Sequence, residues 1–425
     1  MNQEKRNRGL EVFENLNDNK LITHLNSCVH CGLCAESCIF YLATGDKKLI
    51  PARKVDMVAS IYRRYHTFTG RILPGLVNAR ELNEETAKEM TDLLFGACTM
   101  CGRCTVHCSI GVDVAFLVRT GRTMLSNMGM VPASLQSTVD TALQTGNNMG
   151  IPTDELVDTL KWLEDDLKDE LGDDTVQIPL NAPGKDILYT LNPREPKFFP
   201  LSVSAMAKIF HRAGASWTLS SRMYDVTNYA YYSGNQDEAS RIAARLEEEM
   251  KFLGARHCVL AECGHGSRAF RWEAPNYLGH PFDFEVLTSV ELIDGYLKNG
   301  RIKPDPSKNT KKVTLHDPCN LVRNGGIIQQ QRDILHAACS DFIEMNPHGV
   351  DNLCCGGGGG QLAMSEYNDR RMKTGKLKAD QIRATGAEIV VTPCHNCVDQ
   401  LIQICVANKL NIQIKTMAEI VADAL

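Results

Sequence analysis

Leu353-Cys354-Cys355-Gly356-Gly357-Gly358-Gly359-Gly360 lies between two further cysteine segments. Upstream is Val313-Thr314-Leu315-His316-Asp317-Pro318-Cys319, and downstream is Ile389-Val390-Val391-Thr392-Pro393-Cys394-His395-Asn396-Cys397. Each flank reads as a short apolar strand that ends in cysteine. Open α/β folds gather ligands at the carboxyl ends of their strands, so the pattern predicts α/β organisation. Cys319, Cys354, Cys355, Cys394 and Cys397 are one thiolate more than an ordinary [4Fe–4S] cube needs. The glycine run has no Gly-Lys-Ser/Thr ending, which removes a phosphate loop. A flexible linker is the plainer reading of such a run, but glycine also lets a backbone fold tightly against a large inorganic group.

A second cysteine pattern occupies the amino-terminal part. Cys28, Cys31, Cys34 and Cys38 form one run, and Cys98, Cys101, Cys104 and Cys108 form another with the same spacing. Both match two-cluster ferredoxins, where the fourth cysteine ligates the other cluster. The expected sets are Cys28, Cys31, Cys34 and Cys108 on one cube, and Cys98, Cys101, Cys104 and Cys38 on the other. Gly32 and Gly102 stand where the backbone must bend close to sulfur. Zinc sites pair two-cysteine knuckles and do not need three evenly spaced cysteines plus a fourth, twice over. Ile39 and Ser109 replace the proline usual after the fourth cysteine, but proline is no ligand. His30, His66 and His107 are expected at the surface or supporting the cysteines. Between the runs, Pro51 suits a first helical turn, and Asn83-Glu84-Glu85-Thr86 opens another helix. A further helix is expected over 113–128.

The 425 residues suggest two or three domains. A net charge of −5 with no basic arm gives nucleic-acid binding no support. No apolar run is long enough to span a bilayer, and Met1-Asn2-Gln3-Glu4-Lys5-Arg6 lacks a signal-peptide core. With 17 cysteines and no export signal, metal binding is expected ahead of a disulfide scaffold. Residues 150–185 are acidic (Glu164-Asp165-Asp166, Asp173-Asp174) and read as a solvated helical linker.

From Lys185 a worn repeat appears. Asp186-Ile187-Leu188-Tyr189-Thr190 corresponds to the segment before Cys319, Ser220-Ser221 to Cys354-Cys355, Cys263 to Cys394 and Gly266 to Cys397. Serine is a poor substitute for thiolate on iron, so no cluster is expected there. Glu262, Cys263, His265 and Arg268 are candidates to line an interface with the intact copy. Cys258, Cys339 and Cys405 read as buried thiols. The organisation expected is 1–130 as an α-helical ferredoxin domain with two [4Fe–4S] clusters and 131–184 as the acidic linker. A degenerate Cys-Cys-Gly repeat over 185–310 and an intact one over 311–425 follow.

From about Leu25 onward, these motifs together resemble the catalytic iron–sulfur subunits of heterodisulfide reductases, the Cys-Cys-Gly family. The long helical insert between the two runs resembles the α-helical ferredoxin module of those enzymes and of succinate dehydrogenase. The resemblance implies a noncubane [4Fe–4S] cluster on Cys319, Cys354, Cys355, Cys394 and Cys397, which cleaves a substrate disulfide with electrons supplied through the two cubes. His316, His395 and Arg323 are candidates to protonate or steer the departing thiolate, or to support the cysteines. Loss of ligands from the first repeat resembles the DsrK-type subunits of the sulfate reducers' Dsr, Tmc and Hmc membrane complexes. That implies a cytoplasmic location, peripheral on the inner face of the membrane. The implied partners are a membrane cytochrome b, multihaem cytochrome c and further iron–sulfur subunits, with a DsrC-like disulfide or trisulfide protein as substrate. The alternative is an electron-transfer subunit of a quinone-linked flavin dehydrogenase of the glycolate, lactate or glycerol-3-phosphate type.

Overall fold

The computed structural model describes residues 1–15 and 19–425. The chain forms two compact units, each assembled from separate stretches. The first comprises Met1–Ser137, Ala230–Gln236 and Leu353–Lys378, and the second Thr138–Tyr229, Asp237–Asn352 and Ala379–Leu425.

The first unit is helical. Pro51 opens the helix Pro51–His66, where a missing N–H costs nothing because that donor has no intrahelical partner. Asn83 caps Glu84–Leu94 by accepting from the Thr86 amide at 2.9 Å. Asp113 caps Val114–Asn127 in the same way, through the Phe116 amide at 3.0 Å. Each such cap is worth about 1 kcal/mol. Val55, Val58 and Ile61 on the first of these helices are buried with Met90, Leu94, Leu117 and Leu125 on the other two.

The second unit holds two parallel sheets of four short strands. Strands β1 (Ile187–Tyr189), β2 (Trp217–Thr218), β3 (His257–Leu260) and β4 (Glu285–Thr288) are ordered β2-β1-β3-β4. Strands β5 (Val313–Leu315), β6 (Phe342–Glu344), β7 (Ile389–Val391) and β8 (Gln413–Lys415) are ordered β6-β5-β7-β8. The two orders are the same. The central strands β1, β5 and β7 are buried along their whole length, as strands covered on both faces require. The registers Val313↔Ile389 and Leu315↔Val391 set the carboxyl ends of β5 and β7 side by side.

The acidic segment is more than a linker. It forms the helix Thr153–Leu171, with Leu156, Leu160, Leu163 and Leu167 buried on one face. These four leucines join the core that includes Tyr189, Phe210 and Val259. Burying each contributes about 1.5–3 kcal/mol, so the leucine spacing, not the acidic exterior, decides what this helix does.

Candidate metal centres

In the first unit the two cysteine runs enclose two cavities. Cys28, Cys31, Cys34 and Cys108 line one. Cys38, Cys98, Cys101 and Cys104 line another, and Cys104 also borders the first. The local backbone is repeated between the runs. His30 and Met100, each just before the second cysteine, have φ of 56° and 54°, and Gly32 and Gly102, just after it, have 86° and 76°. Left-handed residues on either side of a cysteine wrap the chain around a small anionic centre with its amides turned inward. The Met100 amide accordingly donates to the Cys98 sulfur and the Val112 amide to the Cys108 sulfur, both at 3.4 Å. Eight thiols in two groups of four, with amides aimed at sulfur, fit two [4Fe–4S] groups.

The second cavity has two buried cations beside it. Lys54 donates to the Ala97 carbonyl at 2.5 Å, and its Nζ lies 3.8 Å from the Cys38 sulfur. Burial pushes its pKa down, but the thiolates of Cys38, Cys98, Cys104 and Cys101 outweigh that and the net shift is up. Arg122 is fully buried and donates to the carbonyls of Leu94, Cys98, Tyr232 and Gly359. Burial lowers its pKa to about 10, so it stays charged at neutral pH. Neither was a sequence candidate. The available signal for Lys54 was a cation on the apolar face that carries Val55, Val58 and Ile61.

Cys354 and Cys355 belong to the same unit. The Cys354 sulfur lies 3.5 Å from the Thr99 hydroxyl, and the Gly356 amide donates to it at 3.4 Å. The glycine run has a specific role here. Gly359 has φ of 64°, and a Cβ there would stand 2.7 Å from the carbonyl carbon and oxygen of Thr99. Main chain thus meets main chain, which only glycine permits. Gln361 donates to the Phe95 carbonyl just beyond.

The other three cysteines of the series are buried in the second unit. Cys319 follows β5, while Cys394 follows β7 and caps the helix His395–Ala407, which carries Cys397 in its first turn. A His316 ring nitrogen and the Cys397 sulfur lie within 4.8 Å, which joins the two strand ends. A hydrogen bond with Cys397 lowers the Cys394 pKa to about 7, assisted by the amides of Gly264, Cys397 and Asn396. These hydrogen bonds outweigh burial and hold the Cys394 thiol below its ordinary value. Asp317, two residues before Cys319, is buried and paired bidentately with Arg332 at 2.6 and 2.9 Å. Burial pushes the Asp317 carboxyl up, but Arg332 more than offsets it and the net shift is down.

The segment around Cys263 supports this group from the other sheet. The Gly264 amide donates to the Cys394 sulfur at 3.3 Å. Glu262 accepts from the amides of Met417 and Ala418 at 2.9 and 2.6 Å, and its carbonyl accepts from the His395 amide. His265 bonds Asn396. Arg268 pairs with Glu273 at 2.6 Å. Burial pushes the Cys263 thiol up, in contrast to Cys394. Ser220 follows β2 almost at once and accepts from the amides of Arg222 and Met223, whereas residues 345–353 separate Cys354 from β6. Ser220 also donates to Glu249 at 2.8 Å.

Several candidates have other work. His395 is held by Ser202 at 3.0 Å and the Glu262 carbonyl at 3.1 Å, and burial lowers its pKa to about 4. Both ring nitrogens are occupied, which favours a supporting role over proton transfer. Arg323 donates to the carbonyls of Val350 and Asn352, at 2.7 and 2.6 Å, and so braces the chain before Cys354. His30 pairs with Asp56 at 2.7 Å on the surface, His66 stacks on Tyr62, and His107 is exposed. Cys258, Cys339 and Cys405 are buried, and burial raises the latter two to about 11, which keeps them as thiols.

Residues 24–112 match the 4Fe-4S dicluster domain, and residues 313–402 match the cysteine-rich domain of the Cys-Cys-Gly type. The chain is 28% identical to the Hdr-like menaquinol oxidoreductase iron-sulfur subunit 2 of Archaeoglobus fulgidus, over 87% of this chain and 74% of that protein. It is also 28% identical to a subunit of the dihydromethanophenazine:CoB–CoM heterodisulfide reductase of Methanosarcina mazei, over 95% of each. Similarity to the EtfAB:quinone oxidoreductase of Syntrophomonas wolfei is 25% identity, over 92% of this chain and 57% of that protein.

Proposed function

We propose that this chain is the iron–sulfur electron-transfer subunit of a heterodisulfide-reductase-like oxidoreductase and that it works on a disulfide. Cys28, Cys31, Cys34 and Cys108 hold one [4Fe–4S] cube, and Cys98, Cys101, Cys104 and Cys38 hold the other. Cys319, Cys354, Cys355, Cys394 and Cys397 hold a noncubane [4Fe–4S] group. When bound, that group supplies the two-electron cleavage of the substrate's sulfur–sulfur bond. The balance is R–S–S–R′ plus two electrons and two protons giving two thiols, with the electrons arriving singly through the cubes.

The observation that carries this reading is the convergence of thiols on adjacent strand ends. Cys319 and the Cys394–Cys397 pair leave β5 and β7, and hydrogen bonds hold the Cys394 thiol below its ordinary value. Asn352 donates to the Asp317 carbonyl at 2.5 Å, which anchors the chain two residues before Cys354. His316, next to Cys397, is the group assigned to protonate the departing thiolate, while His395 orients the helix that bears Cys397. The two sheets of equal order are tandem Cys-Cys-Gly repeats, and the first, with Ser220 and Ser221 in place of ligands, serves as support.

The physiological setting follows from the resemblance and the relatives' names, which pair a menaquinol or dihydromethanophenazine with a heterodisulfide-reductase-type protein. Among the described residues no helix is long and apolar enough to cross a membrane. We assign the chain to the inner face of the membrane, bound to a cytochrome b partner, with multihaem cytochrome c and further iron–sulfur subunits in the same complex. A DsrC-like disulfide or trisulfide protein of sulfate respiration is the substrate. Similarity to an EtfAB:quinone oxidoreductase favours a second reading, electron transfer without disulfide chemistry. Turnover of a disulfide protein by the purified complex separates the two. Cys355→Ser is expected to abolish turnover while both cubes still reduce; full turnover in that variant would overturn the assignment.

A further inference from the structure

The two cysteine cavities of the first unit differ in the charge around them. The Cys38/Cys98/Cys101/Cys104 cavity has Lys54 on its wall and Arg122 on the carbonyl of Cys98, at 2.8 Å. Both cations are buried, and among the described residues no carboxylate pairs with either. A buried charge must be compensated, and the charge available to these two is that of the four thiolates. Among the described residues, no lysine or arginine lines the Cys28/Cys31/Cys34/Cys108 cavity. Asp56, paired with His30, acts on Cys28 with the sign that resists added negative charge. Cys31 is exposed there.

Reduction of either site adds one negative charge. Net charge and hydrogen bonding near the sulfurs set the potential of such sites. At this site, whose four cysteines are half-buried, reduced polarity disfavours the electron, but it also strengthens the attraction of the buried Lys54 only 3.8 Å from sulfur. At the exposed site water screens, and the charge nearby is of the wrong sign. We propose that Lys54 and Arg122 are poising residues that place the reduction potential of the Cys38/Cys98/Cys101/Cys104 site above that of the Cys28/Cys31/Cys34/Cys108 site. An electron admitted at the exposed site thus comes to rest at the buried one, beside Cys354, whose sulfur touches the hydroxyl of Thr99. The transfer is of one electron: the exposed site is oxidised by one as the buried site is reduced by one, and no bond or proton moves. This inference rests on the two-cube reading above.

The test is an EPR-monitored redox titration of the anaerobically purified, iron-loaded full chain. In the wild type the higher-potential cube signal is expected to be the one shielded from a water-soluble paramagnetic relaxing agent. In Lys54→Met that signal's reduced-to-oxidised ratio at fixed poise falls at least tenfold, a downward shift of about 59 mV for one electron, and the other signal stays in place. Asp56→Asn raises only the exposed signal. If the higher-potential signal is the exposed one, or if Lys54→Met with unchanged iron moves both signals equally or neither, the proposal is overturned. Absence of two cube signals in the wild type would instead remove the two-cube reading itself.

Discussion

The glycine run offers a sharp mechanical test, because adjacent glycines have opposite expectations. At Gly359 an alanine Cβ would lie 2.7 Å from the carbonyl carbon and oxygen of Thr99 and 2.8 Å from its Cα, with φ at 64°. The left-handed conformation costs an L-residue about 1–2 kcal/mol. Forcing a methyl against unyielding main chain adds about 1–3 kcal/mol. Gly359→Ala should therefore lose about 2–5 kcal/mol, enough to expel the loop from Thr99 rather than merely strain it. At Gly358 the nearest atoms to a new Cβ are the Thr99 oxygen at 3.5 Å and Cβ at 3.7 Å, which is ordinary contact. Its φ is not positive, so Gly358→Ala should change stability by less than about 0.5 kcal/mol. Anaerobic urea unfolding of the iron-loaded protein, followed by circular dichroism, measures both. Equal losses for the two variants, or a neutral Gly359→Ala, would refute the account of why the glycines are there.

Three other outcomes follow from the second unit. Arg332→Met leaves Asp317 buried without its bidentate partner and should cost about 3–5 kcal/mol, whereas Asp317→Asn combined with Arg332→Met should cost less than the single change; equal costs in chemical unfolding would contradict the pairing. Burial raises Glu262 from 4.5 to about 8 against the two amides that pull it down, so between those pH values the folded chain holds a proton the unfolded chain lacks. Its contribution is full below about 4.5 and is lost as pH rises through about 8, and Glu262→Gln should flatten the stability–pH slope in that window; an unchanged slope speaks against the shift. Cys263→Ala should leave iron at about twelve per chain, two cubes and one noncubane group, while Cys394→Ala lowers it; about sixteen irons in the parent would place a fourth cluster in the first repeat.

Much of the site was legible because it is local. Cysteine spacing marks the two runs, whose fourth members Cys38 and Cys108 each line the cavity of the other run, and the capping residues Asn83 and Asp113 sit where their helices begin. Strand ends carrying Cys319 and Cys394 were visible as apolar triplets before proline or cysteine. What escaped was long-range. Nothing near Gly359 says that its backbone will rest on Thr99, far earlier in the chain. Lys54 and Arg122 look like ordinary surface cations until the fold buries them. The helix Thr153–Leu171 was misjudged because its acids are conspicuous, while its leucines, spaced at three and four, carry the packing. Arg323, open in the sequence to steering a thiolate or supporting the cysteines, donates to the main-chain carbonyls of Val350 and Asn352.

The central claim, disulfide chemistry at a five-cysteine centre, is most directly tested by EPR of the oxidised protein with and without a disulfide substrate. A signal that appears only with substrate, distinct from reduced cubes and lost in Cys355→Ser, is the predicted result. Ordinary reduced-cube signals alone, unchanged by substrate, would contradict it and leave the chain as a conductor of electrons only.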